Sequence, residues 1–330
     1  MRATLTVFVA LLSVTGAAHA RPSSAPVVHS VVVRPGNKSA VALPSRVTPD
    51  TAFSVPKQSS PPPPTQLEAR IANAAVFGGY LAVAVWARFA WYAGQDQSDS
   101  FVVLDEGWFG SDTYAGGADK LGHFYSCYLA TRMTVLALRK GGFSPTARRT
   151  LASVMTMAFF TGIEVKDAYH LNYGFSWSDM VANTLGTALG VAMQAYPALD
   201  RWLDVRLEYF PSAAYLQRLR NGDPNVGEDY SGMNYALWLK LNAVAALRQT
   251  LARYIDVGVG FGTIGYKPGP QPQRRQELSL RISLNATRLV DDAFEPRSRT
   301  FRWGALRFLT EMVTIPGTSA GVTVYQADAE

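Results

Sequence analysis

Residues 119–138 read DKLGHFYSCYLATRMTVLAL, residues 139–149 read RKGGFSPTARR, and residues 150–190 read TLASVMTMAFFTGIEVKDAYHLNYGFSWSDMVANTLGTALG. Three apolar runs of helix length lie in this stretch, and their polar residues gather at the run ends. Asp119, Lys120 and His123 open the first run. Glu164, Lys166, Asp167 and His170 close the second, and Ser176, Asp179 and Asn183 open the third. Short connections favour antiparallel packing of consecutive helices. The start of the first, the end of the second and the start of the third then meet at one end of a bundle. Residues as far apart in sequence as His123 and Asn183 come to share one polar cluster above an apolar core.

Local signals support the three helices. Asp119 is suited to an N-cap, and its carboxylate favours the positive end of a helix. Ser176-x-x-Asp179 reads as a capping-box variant. Gly186 and Gly190, one turn apart, suit close helix contact. Arg139, Lys140, Arg148 and Arg149 lie at the other end of the bundle, where a membrane would place head groups. Cys127 is four residues after His123, on the same helical face. It reads as a buried apolar thiol, because a catalytic thiolate needs an activating base and some exposure. As the single cysteine it also excludes an intrachain disulfide and a cysteine-rich metal site.

Upstream, Thr65 and Glu68 form a capping box before the nearly uncharged run Ile71–Trp91, which is long enough to span a bilayer. Arg88 and the Gly78-Gly79 pair fit a buried central helix equally well. The loop FVVLDEGWFGSDTYAGGAD, residues 101–119, with Asp105, Glu106 and Asp112 as its acids, leads into the polar cluster and reads either as a lid or rim or as a plain surface loop. Downstream, residues 198–220 and 234–252 read as amphipathic helices. Trp202, Leu203, Leu207 and Phe210 mark one apolar side, and Leu237, Leu241, Val244 and Leu251 the other. The period then changes: residues 254–266 and 277–289 alternate like strands, and residues 321–325 are extended. The expected fold is mainly α, a helical bundle of four to six helices with a small C-terminal antiparallel β element. So few strands exclude a closed transmembrane barrel.

The N-terminus reads as an export signal. Residues 1–20 have one positive charge, an apolar core and Ala18-His19-Ala20, which places cleavage after Ala20. No cysteine follows that site, so lipoprotein acylation is not expected. Residues 21–64, ending in four prolines, read as a disordered Pro/Ser-rich tether. The expected organisation is thus signal peptide 1–20, tether 21–64, helical bundle 65–252, and a β-hairpin extension 253–330 packed on the bundle. The protein is expected in the periplasm or on the periplasmic face of a bacterial membrane. Hydrophobic content of 48% against 17% charged residues favours membrane association. The net charge of +6 suits an anionic lipid or cell-wall surface. No basic run is interleaved with aromatics, so nucleic acid is not an expected partner.

The motif DKLGHF, the Glu164-x-x-Asp167 pair and GFSWSDMVANTLG together resemble the uncharacterised bacterial family of predicted periplasmic lipoproteins typified by YfiM. Asp229-Tyr230-Ser231-Gly232 with Tyr235 and Trp238, the GVGFGTIGY segment and Ile315-Pro316 are similar as well. The resemblance covers roughly residues 115–325, and it implies no established activity. A weaker similarity links the D-K-x-x-H, E and S-x-x-D-x-x-A-N-x-x-G elements to VanZ-like membrane proteins. The missing lipoprotein cysteine departs from the first family, so anchorage comes from the helices, from an envelope protein partner, or from nothing.

Two readings of the cluster stand side by side. His123, Glu164, Asp167 and Asp179 can ligate a divalent metal with a position left for water. Lys120, Ser176 and Asn183 would then meet a lipid or cell-wall ligand, or His123, Asp167 and Asp179 would run general acid–base chemistry. A metal-assisted hydrolase of lipid or cell-wall phosphates or esters follows from that chemistry. The other reading is a capping and register network in a non-catalytic envelope scaffold, with Lys120 paired to Glu164 or Asp167 and His170 exposed in its loop. The sequence contains no H-E-x-x-H, G-x-S-x-G or phosphate-loop motif.

Overall fold

The computed structural model describes residues 64–94, 96–267, 273–294 and 301–329. The signal-peptide reading of residues 1–20 and almost all of the tether reading lie outside those residues. The first described helix, α1 (Gln66–Ala90), opens with the capping box: Thr65 accepts from the Glu68 amide, and the Glu68 carboxylate accepts from the Thr65 amide. A two-stranded parallel pair, β1 (Val103–Leu104) with β2 (Phe175–Ser176), frames the loop that follows.

Three long helices match the three runs: α2 (Ala118–Lys140), α3 (Pro145–Asp167) and α4 (Trp177–Ala195). Ser144 and Ser176 cap α3 and α4 through their hydroxyls. Asp119 does not cap α2. The cap is Gly117, whose φ of 83° is a left-handed conformation that glycine adopts without strain. Asp119 is thereby freed for the site. α2 is the central helix and packs most closely on α4. A Cβ on Gly186 would lie 2.0 Å from the Phe124 carbonyl oxygen, so only glycine permits this approach. The Tyr80 hydroxyl bonds both Thr134 and Thr156 and ties α1 to α2 and α3.

The expectation of a mainly helical bundle with a small β element is wrong. A mixed six-stranded sheet runs in the order β7-β3-β4-β5-β6-β8, beside eight α-helices among the described residues. Its strands are β3 (Leu203–Tyr209), β4 (Met233–Lys240), β5 (Ile255–Ile264), β6 (Arg274–Leu284), β7 (Val313–Thr314) and β8 (Ser319–Ala329). The pairing of β3 with β7 is parallel, and the other pairings are antiparallel. Short helices α5 (Pro197–Trp202) and α6 (Ala213–Arg220) flank β3, while α7 (Ala286–Phe294) and α8 (Phe301–Met312) connect β6 to β7. The segments read as amphipathic helices contain β3 and β4. Their apolar residues Leu203 and Leu207, or Leu237 and Leu241, are four apart, a spacing that a helix face and a strand face both satisfy.

The main core joins the two parts of the fold. Tyr125, Tyr128, Met193, Val205, Tyr235 and Met312 are buried together, and the Tyr125 hydroxyl donates to the Met312 carbonyl at 2.6 Å. The helical layer therefore has its central helix on one side of the sheet, and α2 carries the polar end of that layer toward β4.

Candidate functional site

The polar cluster forms where α2 begins, α3 ends and α4 begins. His123 Nδ1 lies 3.4 Å from Glu164 Oε1 and 3.2 Å from Asn183 Oδ1, and His123 Nε2 lies 3.9 Å from Asp179 Oδ1. One ligand atom from each of His123, Glu164 and Asp179 falls within 4.8 Å of the others, the spacing of donors around one ion. Glu106, Asp119 and Asp179 form a second such group. Glu164 is 1% exposed, and its Oε1 has no hydrogen-bond donor.

Lys120 is 2% exposed and touches three carboxylates: Glu106 at 2.6 Å, Asp119 at 2.8 Å and Asp179 at 2.9 Å. It pairs with neither Glu164 nor Asp167, the partners expected in the capping-network reading. Its ammonium is fully engaged by carboxylates, so it is not presented to an incoming anion. Glu106 comes from the aromatic loop before α2 and is the residue that the sequence argument left unassigned. The only signal for it was the loop's position before Asp119.

Asp167 lines the same cavity, as do Asp119, Glu106 and Glu228. Ser176 and Asn183 stand behind it. Ser176 caps α4 and gives its amide to Glu164 Oε2 at 3.4 Å. Asn183 accepts from the Cys127 thiol at 3.2 Å and faces His123. The Cys127 thiol is pushed up by burial and stays protonated. His170 is not in the cluster and is not exposed. It is fully buried, stacks near Tyr92 and Tyr173, and its Nδ1 is 2.8 Å from the Lys166 carbonyl.

The cavity holds about 320 Å³ and has two characters. One wall carries the carboxylates and His123. The other is apolar and aromatic, formed by Leu129, Phe160, Ile163, Leu207, Met233 and Tyr235. Met233, Tyr235 and Leu207 come from the sheet, so strands misread as helices complete the pocket.

Five carboxylates, Glu106, Asp119, Glu164, Asp167 and Asp179, face one lysine and one histidine. Burying that much negative charge is unfavourable, and the titration behaviour reflects it. Burial, with Asp179 and Asp167 nearby, pushes Glu164 up to about 8 despite the opposing pull of His123. Burial pushes Asp167 up to about 6. Burial opposes ionisation of Asp179, but His123 and Lys120 together outweigh it and hold Asp179 below the usual range. His123 is raised: burial works against its charged form, and Asp179 and Glu164 overcome it.

Residues 105–195 match the family described as "Predicted periplasmic lipoprotein (DUF2279)", which is the resemblance that DKLGHF and GFSWSDMVANTLG carry. The matched segment begins in the loop that supplies Glu106 and runs to the last residue of α4. The family description agrees with export to the periplasm and gives no reaction. It also names lipoproteins, which conflicts with the expectation that this chain is not acylated. The single cysteine of the chain is Cys127, fully buried within α2. No curated protein and no solved structure matches the chain.

Proposed function

We propose that the protein is a membrane-associated envelope protein whose polar cluster binds a divalent cation and, through it, an anionic headgroup. The observation that carries this reading is the surplus of buried carboxylates around His123, with Glu164 Oε1 3.4 Å from His123 Nδ1 and without a hydrogen bond. His123, Glu164 and Asp179 are the ligands. An imidazole with carboxylate oxygens suits zinc or manganese, and the open cavity leaves a coordination position for water or ligand. The cation offsets part of the local negative charge and offers a coordination position that accepts a phosphate or carboxylate oxygen. The apolar wall from Leu129 to Met233 then takes the hydrocarbon part of a lipid or cell-wall intermediate. α1 supplies membrane contact: it has 25 residues, mean hydropathy 1.3 over its most apolar window, and Phe77, Leu81, Val85 and Phe89 exposed along one stripe.

The purified full chain in detergent is expected to retain one divalent cation per molecule. His123→Ala and Asp179→Asn variants of matched thermal stability should lose it. An apo protein that takes up neither zinc nor manganese at millimolar concentration would refute the reading.

Asp167 favours a second, catalytic reading. It lines the cavity outside the ligand set and is held near 6, where a carboxylate can accept a proton from a cation-bound water. Hydrolysis of an aryl phosphate or ester that is abolished by Asp167→Asn with metal retained would establish a hydrolase. Unchanged turnover in that variant would remove it.

A further inference from the structure

Beyond the helices the core face of the sheet continues as a bare apolar surface, and the sidedness of the sheet is the reverse of that in a water-facing sheet. Register places Leu237, Val259, Leu280 and Val322 in one row across β4, β5, β6 and β8, with Leu239, Val257, Ile282 and Ala320 in the next. The large side chains of both rows are exposed, and no charged residue interrupts them. The opposite face holds the charges, of which Asp204, Arg206, Lys240 and Asp256 are buried and Glu208 and Arg281 partly so. Lys240 bonds Asp204 at 2.8 Å, Arg206 bonds Asp256, and Arg281 bonds Glu208. An antiparallel sheet with one wet face normally shows its polar residues to water. Here the polar residues are covered and the aliphatic rows are bare, a contiguous patch of the kind that marks an interaction surface.

One end of the same sheet is basic. Arg201, Arg248, Arg253 and Arg288 line a cavity of about 370 Å³ where β4 ends, β5 begins and β6 ends. Two of them, Arg253 and Arg288, share the single carboxylate of Asp292. Between Arg248 and Arg253, Leu251 is 81% exposed, and the half-exposed Trp202 precedes β3 at this end. Arginines bordering bare aliphatic rows, with a protruding leucine and a tryptophan among them, match the chemistry of anionic head groups above acyl chains.

We propose that the part of the sheet face left bare by the helices, the aliphatic rows of β4, β5, β6 and β8, docks on a bilayer containing anionic lipid, with the arginine end at the head groups. These rows continue the face whose Tyr235, Val205 and Leu207 pack against the helices; they are distinct from the apolar stripe of α1 and extend the membrane association of the previous section to a second surface.

The test uses the full chain with Val259→Cys carrying an environment-sensitive fluorophore; the buried Cys127 leaves that position selectively labelled. Vesicles are phosphatidylcholine with or without phosphatidylglycerol, and both include chain-labelled quencher lipids. The label is expected to shift to the blue and be quenched only with phosphatidylglycerol present. Arg248→Gln combined with Arg253→Gln should weaken that binding on the order of tenfold. A Leu81→Cys label, read in parallel, reports α1, so failure of one surface is distinguishable from failure of the other. A label at position 259 that stays in water while the protein is vesicle-bound overturns the proposal. A shift that needs no vesicles and grows with protein concentration also overturns it, in favour of a second copy. Equal quenching without phosphatidylglycerol overturns the role of the arginines.

Discussion

Lys120 illustrates how much of the site is electrostatic. Its ammonium is the shared counter-ion of Glu106, Asp119 and Asp179, and its side chain is buried. Removing one partner of a buried ionic network leaves uncompensated charge, so Lys120→Met is expected to destabilise the protein by about 3–5 kcal/mol. Chemical denaturation at pH 7 with a chelator present measures that, and a change below about 1 kcal/mol would mean the triad is solvated. The titrations around it give a pH signature. Glu164, Asp167 and His123 all hold raised values in the folded state, so each binds its proton more tightly folded than unfolded. Their stabilisation is complete below the unfolded values and is lost as pH rises through the folded ones. The metal-free protein should therefore lose stability between roughly pH 5 and pH 8, the window that Asp167 near 6 and Glu164 near 8 define. Thermal melts across that range, repeated on Glu164→Gln, check it. The slope should flatten in the variant, and a stability that rises with pH would contradict the assignment.

At the scale of elements, the site depends on how closely α2 and α4 approach, because His123 rides on one and Asp179 on the other. A side chain at Gly186 would collide with the Phe124 backbone rather than with a movable group. Gly186→Ala is thus expected to cost about 1–3 kcal/mol and to weaken cation binding without touching a ligand. Calorimetric titration of the variant separates these effects, and unaltered affinity would show that the helix spacing does not set the site. Tyr80→Phe removes the hydroxyl shared by Thr134 and Thr156 and should cost about 1 kcal/mol, loosening α1 without altering the site. What the sequence made legible follows the same lines. The gathering of His123, Glu164 and Asp179 was readable because polar residues at run ends and short connections leave few ways to pack three helices. The strands β3 and β4 were not readable, because leucines four apart suit both a helix and a strand and the loop residues between them gave no veto. The part of Glu106 was hidden for a different reason. Its loop reaches Lys120 through tertiary contact, and no local spacing encodes that.

The whole molecule combines a charged pocket with two bare apolar surfaces, the stripe of α1 and the uncovered part of the sheet. The pocket itself has both characters, with carboxylates on its helical wall and Leu207, Met233 and Tyr235 on its sheet wall. That pairing suits an amphiphile whose polar end needs a cation, and it places the burden of the account on whether the cation binds. The deciding measurement is a titration of the chelator-stripped full chain with zinc or manganese at pH 7, following bound metal and released protons together. One cation should bind per chain and expel about one proton or more, because Glu164 and His123 must both lose theirs to ligate it. The same titration on His123→Ala should show neither. Binding that is absent, or that releases no protons and survives in the variant, would contradict the central claim and leave the cluster as a charge network that positions helices.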